Sequence, residues 1–178
     1  MGADFEVRPS GVEELTRGDP AEVALENARR KARAVAQCEW GAGGGVAGDE
    51  VRAGEPSAAV LGVDTLVALD GRIYGQPADE EAARTTLRAL GGRTHTVVSG
   101  LVLVSENGER SGIEETAVTF RELDDAAIDS YLATGEWRGR AGAYAIQERG
   151  GALVRRVEGD YLNIVGLPFG LLLDLASS

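Results

Sequence analysis

An α/β domain with a mixed central sheet and flanking helices is the fold class this sequence predicts. Three observations predict it. Helical and strand-like hydrophobic periods alternate along the chain, two tight-turn signals interrupt that alternation with hairpins, and 178 residues at 43% hydrophobic content suffice for one core and one domain, residues 1–178. Hairpins pair neighbouring strands antiparallel, whereas strand–helix–strand connections allow parallel pairing, so a mixed sheet is expected.

The elements follow from local signals. Residues 5–8 alternate like a short strand, and the loop after them carries Glu13 and Glu14. Asp19 as N-cap, Pro20 at the first helical position and Glu22 three residues after the cap open a helix, along which Leu25, Ala28, Ala32 and Val35 share a face. Lys31 sits at the edge of that stripe. Residues 41–57 hold six glycines among seventeen residues with several charges, which predicts a flexible surface insertion and no phosphate-binding fingerprint. Residues 58–69 read as a strand covered on both faces, and Asp70-Gly71 turns it toward Arg72, Ile73 and Tyr74.

Asp79 opens a second helix with Ala83, Leu87 and Leu90 on one face, stopped by Gly91 and Gly92. Residues 94–104 form the next strand, and Asn107-Gly108 turns the chain into a strand around residues 113–120, with Val118 and Phe120 on the same side. Leu123-Asp-Asp opens a third helix carrying Ile128, Tyr131 and Leu132 at helical spacing. Residues 135–142 are glycine-rich and irregular, residues 144–147 are a short turn or strand, and residues 152–157 a further strand. Pro168 starts a last apolar helix ending near Ala176, and its run of residues 171–175 reads as core.

Composition excludes several function classes. A formal net charge of -11 opposes the attraction that nucleic acids and anionic membranes exploit, so neither is an expected partner. Cys38 is the one cysteine, which rules out an intrachain disulfide and fits a reducing compartment. With His95 the one histidine, no Cys/His metal cluster can be assembled. The first residues lack an apolar leader, and no stretch approaches the ~18 apolar residues that span a bilayer, so the cytoplasm is the expected setting.

Asp64 is the most informative residue, because it places a carboxylate inside an otherwise apolar strand. Burying an unpaired charge costs several kcal/mol or forces protonation, so Asp64 should sit at a polar opening, near a metal, a cation or a reacting water. The alternative is a carboxylate that caps a turn or pairs with a structural arginine. His95, in an apolar-polar alternation at a strand start, reads as structural rather than as a general base. Tyr144 and Tyr161 read as packing groups that are also able to stack on a base.

Four segments in order carry a family resemblance: Gly62-Val-Asp-Thr65 with its hairpin to Gly75-Gln-Pro77, residues 87–97, Ala141-Gly-Ala-Tyr-Ala-Ile-Gln147, and residues 158–168 ending in Gly-Leu-Pro. Together they resemble the Maf-like nucleoside triphosphate pyrophosphatases, a family related in fold to the inosine triphosphate pyrophosphatases. The resemblance implies a two-lobed, inosine-triphosphatase-like domain that hydrolyses a nucleoside triphosphate to the monophosphate and pyrophosphate with a divalent cation, magnesium or manganese. The ending Ala-Tyr-Ala-Ile-Gln147 resembles the branch acting on dTTP and UTP. A homodimer is implied as well.

The same resemblance implies roles. Asp64 corresponds to the proton acceptor and a metal ligand, Thr65 and Gln147 to positions affecting substrate choice, Glu13 to an acidic residue holding the metal, and Lys31 to a phosphate-facing lysine. An amide such as that of Gln147 donates and accepts at once, which suits the O4 and N3–H edge of uracil or thymine. Without the resemblance, Glu13 reads equally as a solvated loop charge and Lys31 as a helix-surface lysine. Asp160 and Asn163 read as fixing the loop before the last helix, with support of the site as the sharper alternative.

Two departures from the family pattern stand out. The family begins with a strand and a Ser-x-Ser-Pro-Arg-Arg loop whose arginines bind the triphosphate, and the resemblance places Met1 after both. It therefore implies a sheet short of one strand with an unpaired edge, and either a true start upstream, which the intact remaining motifs favour, or a decayed copy. Gln76 stands where the family has lysine, a change that weakens phosphate binding by ~1.5–3 kcal/mol if the lysine bonds a charged group. These departures keep open the alternative of a catalytically impaired nucleotide-binding protein linked to control of cell division.

Overall fold

Asp19 caps the first helix as its position predicts: Oδ1 accepts the backbone N–H groups of Ala21 and Glu22, both at 3.1 Å, and α1 runs over Pro20–Trp40. The structure, a computed structural model, describes residues 5–40 and 59–177. The glycine-rich residues 41–57 lie outside the described residues. Strand β1 (Val60–Leu69) turns through Asp70 and Gly71, whose φ angles of 53° and 72° are the left-handed pair a two-residue type I′ hairpin requires, into β2 (Arg72–Tyr74). Asp79 caps α2 (Glu80–Leu90) through the Ala82 N–H at 2.8 Å.

The hairpin of β3 (Thr94–Ser105) and β4 (Gly108–Phe120) follows, then α3 (Asp125–Leu132), capped by Asp124. Single 3-10 turns at Ala141–Ala143 and Arg149–Leu153 lead into β5 (Val154–Glu158), α4 (Tyr161–Val165) and α5 (Phe169–Ser177). Among the described residues one five-stranded sheet runs in the order β2-β1-β3-β4-β5, flanked by helices. No helix of the described residues is long and apolar enough to cross a membrane.

Each face of the sheet has its own cover. On one, Val67, Leu69, Val97, Val118 and Phe120 pack with Ala83, Leu87 and Leu90 of α2, with Ile128, Tyr131 and Leu132 of α3, and with Trp137 and Tyr144. On the other, α1 lies against Leu66, Val98 and Val102 through Val23, Ala24, Ala28 and Ala32. The predicted faces of α1 and α2 are thus those that reach the sheet.

Several expectations change. Every described strand pairing is antiparallel, because each strand neighbours a partner reached through a hairpin or a reversing excursion, so among the described residues the sheet is antiparallel where a mixed one was expected. Residues 5–8 form no strand, and Phe5 and Val7 are 86% and 82% exposed: alternation supplies the side-chain pattern, but a strand also needs a neighbour to bond. Helix α5 is not core, since none of its residues is fully buried and Phe169 and Leu173 are about half exposed. A helix in which Leu171, Leu172, Leu173 and Leu175 leave almost no polar face gives no stripe from which its buried side can be read. Helix α4, which periodicity did not reveal, is delimited by Asp160, whose Oδ1 accepts the Leu162 N–H at 2.8 Å, and by Gly166 at φ 120°.

Candidate active site

The site begins with a missing side chain. Asp64 in β1 is paired across the ladder with Gly100 of β3, and Gly62 lies two residues before it on the same face. A Cβ added to Gly62 would stand 2.2 Å from the Ala28 carbonyl oxygen, and one on Gly100 2.5 Å from the Leu25 nitrogen. With alanines at 24, 28 and 32 facing them, α1 comes into backbone contact with the sheet. That depth lets Asn27 and Lys31, one helical turn apart, reach the carboxylate.

Asp64 is 6% exposed and both its oxygens are engaged. Oδ2 accepts from Asn27 Nδ2 at 3.0 Å and Oδ1 from Lys31 Nζ at 2.6 Å. The buried carboxylate therefore has the cationic partner its position demanded, a lysine rather than an arginine. Lys31 Nζ also meets Glu14 Oε1 at 2.6 Å, so one ammonium bridges two carboxylates. Burial acts to lower the Lys31 pKa, but hydrogen bonds to Asp64 and Glu14 outweigh it and hold the group above its ordinary 10.5. The stabilisation is present at neutral pH and disappears as pH rises through that raised value.

These groups open onto a cleft of ≈ 270 Å³. Five consecutive residues of β1, Val63 through Val67, line it. Neighbours in a strand point to opposite faces, so a cleft touched by all five runs along the strand's edge. That edge is open because β2 pairs only with Val67, Ala68 and Leu69, and no described strand continues beside the earlier part of β1 on that side. The opposite wall comes from Gly75 and Gln76 after β2 and from Gly139, Arg140, Tyr144 and Gln147 in the irregular segment after α3. The Gly142 N–H donates to the Gly75 carbonyl at 3.3 Å, tying the two pieces together.

Of the residues singled out in the sequence, Asp64, Thr65, Lys31, Gln76 and Gln147 all line this cleft. Thr65 Oγ1 shares a 2.8 Å hydrogen bond with Ser99, fully buried opposite it in β3. Glu13 does not join them; it is exposed, and its neighbour Glu14 takes the place beside Lys31. Successive side chains of an extended loop point opposite ways, and Asn27 fixes which way by bonding both backbone groups of Leu15, at 2.8 and 3.0 Å. Asn27, Ser99 and Arg140 are the lining or neighbouring residues that sequence reasoning does not single out, and Glu14 enters it only as a loop carboxylate. Asn27 was detectable as a polar residue on the alanine stripe of α1; Arg140 lies in a segment with no period at all.

His95 is 1% exposed and away from the cleft lining. Its Nε2 pairs with the Tyr144 hydroxyl at 2.9 Å, and it packs edge-on against Phe120 and Tyr144. Burial pulls its pKa down to about 4 and pushes the Tyr144 phenol up, so both are neutral at pH 7 and act as packing. Tyr161 is 46% exposed outside the cleft. Asp160 caps α4, and Asn163 donates to the Val97 carbonyl and to Thr116 Oγ1, both at 3.0 Å, which anchors the turn before α5 on the sheet.

A family model described as Maf-like protein matches residues 1–178. This chain belongs to that family. It is 44% identical over 176 residues to a dTTP/UTP pyrophosphatase of Deinococcus radiodurans, covering 98% of this chain and 82% of the relative. It is 42% identical to a dTTP/UTP pyrophosphatase of Thermococcus gammatolerans, covering 97% and 84%, and 40% identical to one of Pyrococcus furiosus, covering 97% and 83%.

Proposed function

We propose that this Maf-like protein is a nucleoside triphosphate pyrophosphatase that hydrolyses dTTP or UTP to the monophosphate and pyrophosphate. The observation that carries the reading is Asp64, a nearly buried carboxylate held by Asn27 and Lys31 at a cleft whose far wall presents Gln147, in a chain 40–44% identical to relatives named for that activity. In the reaction a water oxygen bonds to the α-phosphorus while the bond from that phosphorus to the bridging oxygen breaks. The water proton passes to Asp64 and pyrophosphate leaves with the bridging oxygen. Gln147 would read the pyrimidine edge with its donor and acceptor, and Thr65 would shape the same pocket.

The polyphosphate brings negative charge into a protein of net charge -11, so cations in the cleft matter. Arg140 lines it with no hydrogen-bonded or ion-paired side-chain partner among the described residues, whereas Lys31 is shared by two carboxylates. Arg140 is thus available to the phosphates. No group of three or more metal-ligating side chains occurs among the described residues. Two carboxylates converging on one point nevertheless fit a magnesium or manganese ion, which takes one or two carboxylates and completes its shell with phosphate oxygens and water. Glu14 and Asp64 would hold it, and bound there it would neutralise polyphosphate charge. The reading also includes a cytoplasmic homodimer.

The test is pyrophosphate release from UTP and dTTP with magnesium or manganese. Asp64→Asn should lower kcat by ~10²–10⁴-fold; unchanged turnover removes Asp64 from the chemistry. Neutral Gln76 and the doubly engaged Lys31 favour one second reading, a protein that binds the nucleotide without hydrolysing it. Calorimetric binding of UTP without pyrophosphate release would select it.

A further inference from the structure

We propose that Asn27 is a positioning residue that holds Asp64 and the Glu14 loop as one unit; its catalytic consequence rests on the hydrolytic reading above. Asn27 is fully buried on the sheet-facing side of α1, where its neighbours are alanines. Both N–H donors of its amide are used, and its oxygen is engaged. Oδ1 accepts the Leu15 N–H at 2.8 Å, while Nδ2 donates to the Leu15 carbonyl at 3.0 Å and to Asp64 Oδ2 at 3.0 Å. The Leu15 N–H can only donate, which fixes Oδ1 toward it and leaves Nδ2 no orientation but the one facing Asp64.

The two contacts on Asp64 differ in kind. Lys31 contributes a charge that an incoming phosphate competes for, whereas the Asn27 amide is neutral, buried and bracketed by backbone. When Lys31 turns to substrate, Asn27 still aims the carboxylate. The same bracket pins Leu15, next in sequence to Glu14, so one side chain sets the separation of the two carboxylates that face Lys31. An apolar residue at 27 would fill the space and leave Asp64 Oδ2 and both Leu15 backbone groups without this partner.

Asn27→Leu decides the matter, read by kcat and KM for UTP, by hydrogen exchange at the Leu15 amide, and by the carbon-13 shift of the Asp64 side-chain carboxyl. The expected result is kcat down ~10–100-fold with KM changed less than ~3-fold, the Leu15 amide losing its protection, and the Asp64 signal moving, in a protein that still unfolds cooperatively. Wild-type kcat, or an unmoved Asp64 signal with Leu15 still protected, overturns the proposal. If the leucine variant does not fold, Asn27→Ala is judged by the same criteria. Absence of turnover in the wild-type protein counts against the hydrolytic reading alone, because the exchange and carboxyl signals decide the positioning without it.

Discussion

Where α2 and α3 cover the sheet, the contact is made by Phe120, Leu87, Leu90 and Val97, each at most 1% exposed; where α1 covers it, the contact is made by Ala24, Ala28 and Ala32 against Gly62 and Gly100. The large side chains bury area and hold their helices off the strands. The small ones bury little and bring helix and strand backbones together, which puts Asn27 and Lys31 within 3.0 Å of Asp64. One face stabilises the molecule. The other gives up side-chain volume so that polar groups meet where the cleft begins.

The largest effect expected from this contrast is on the bulky face. Leu87→Ala should cost ~2–5 kcal/mol in urea unfolding while kcat and KM of the folded protein stay as they were, and a loss of kcat in that variant would break the separation of roles. His95, on the same face, makes stability depend on acid. The unfolded chain takes up its proton near 6.5 and the folded one only near about 4, so stability is complete above 6.5 and falls as pH drops, by about 3 kcal/mol for this group. Denaturation of His95→Leu between pH 7 and 4 should show that much less acid destabilisation than wild type.

On the small-residue face the balance reverses. Gly100→Ala forces α1 off the sheet and should cost ~1–3 kcal/mol, less than Leu87→Ala, yet lower kcat further, because Asn27 and Lys31 withdraw from Asp64. Stability and kcat measured together on the two variants sharpen the comparison. The smallest change belongs to the rim: Arg140→Ala should raise KM for UTP ~10-fold with kcat little altered, the loss of one charged contact to phosphate. An unchanged KM would exclude Arg140 from the phosphate site.

Much of this was legible before any coordinates. Asp19-Pro20 and Asp79 mark helix starts by chemistry confined to four residues, and Ala83, Leu87 and Leu90 repeat at the helical period, so local rules suffice. Asp64 stood out because a carboxylate in an apolar strand violates the pattern around it. Which of Glu13 and Glu14 faces Lys31 is not legible in sequence, because two adjacent carboxylates differ only in direction, and direction is set here by Asn27, twelve residues from Leu15. The exposure of α5 was hidden for a related reason: it depends on what lies opposite the helix, which composition does not record. Arg140 gave no local sign, since the turn that brings it to the cleft follows no repeat.

The run of Val63 through Val67 along one wall of the cleft carries a last consequence. Amide and carbonyl groups at a strand margin are the same for every encoded residue except proline, so most drift in the gene leaves that part of the cleft wall unchanged. On the proposed reading, selection for a new nucleobase works through side chains instead, Thr65 within the run and Gln147 across the cleft, and a library restricted to those two codons tests it.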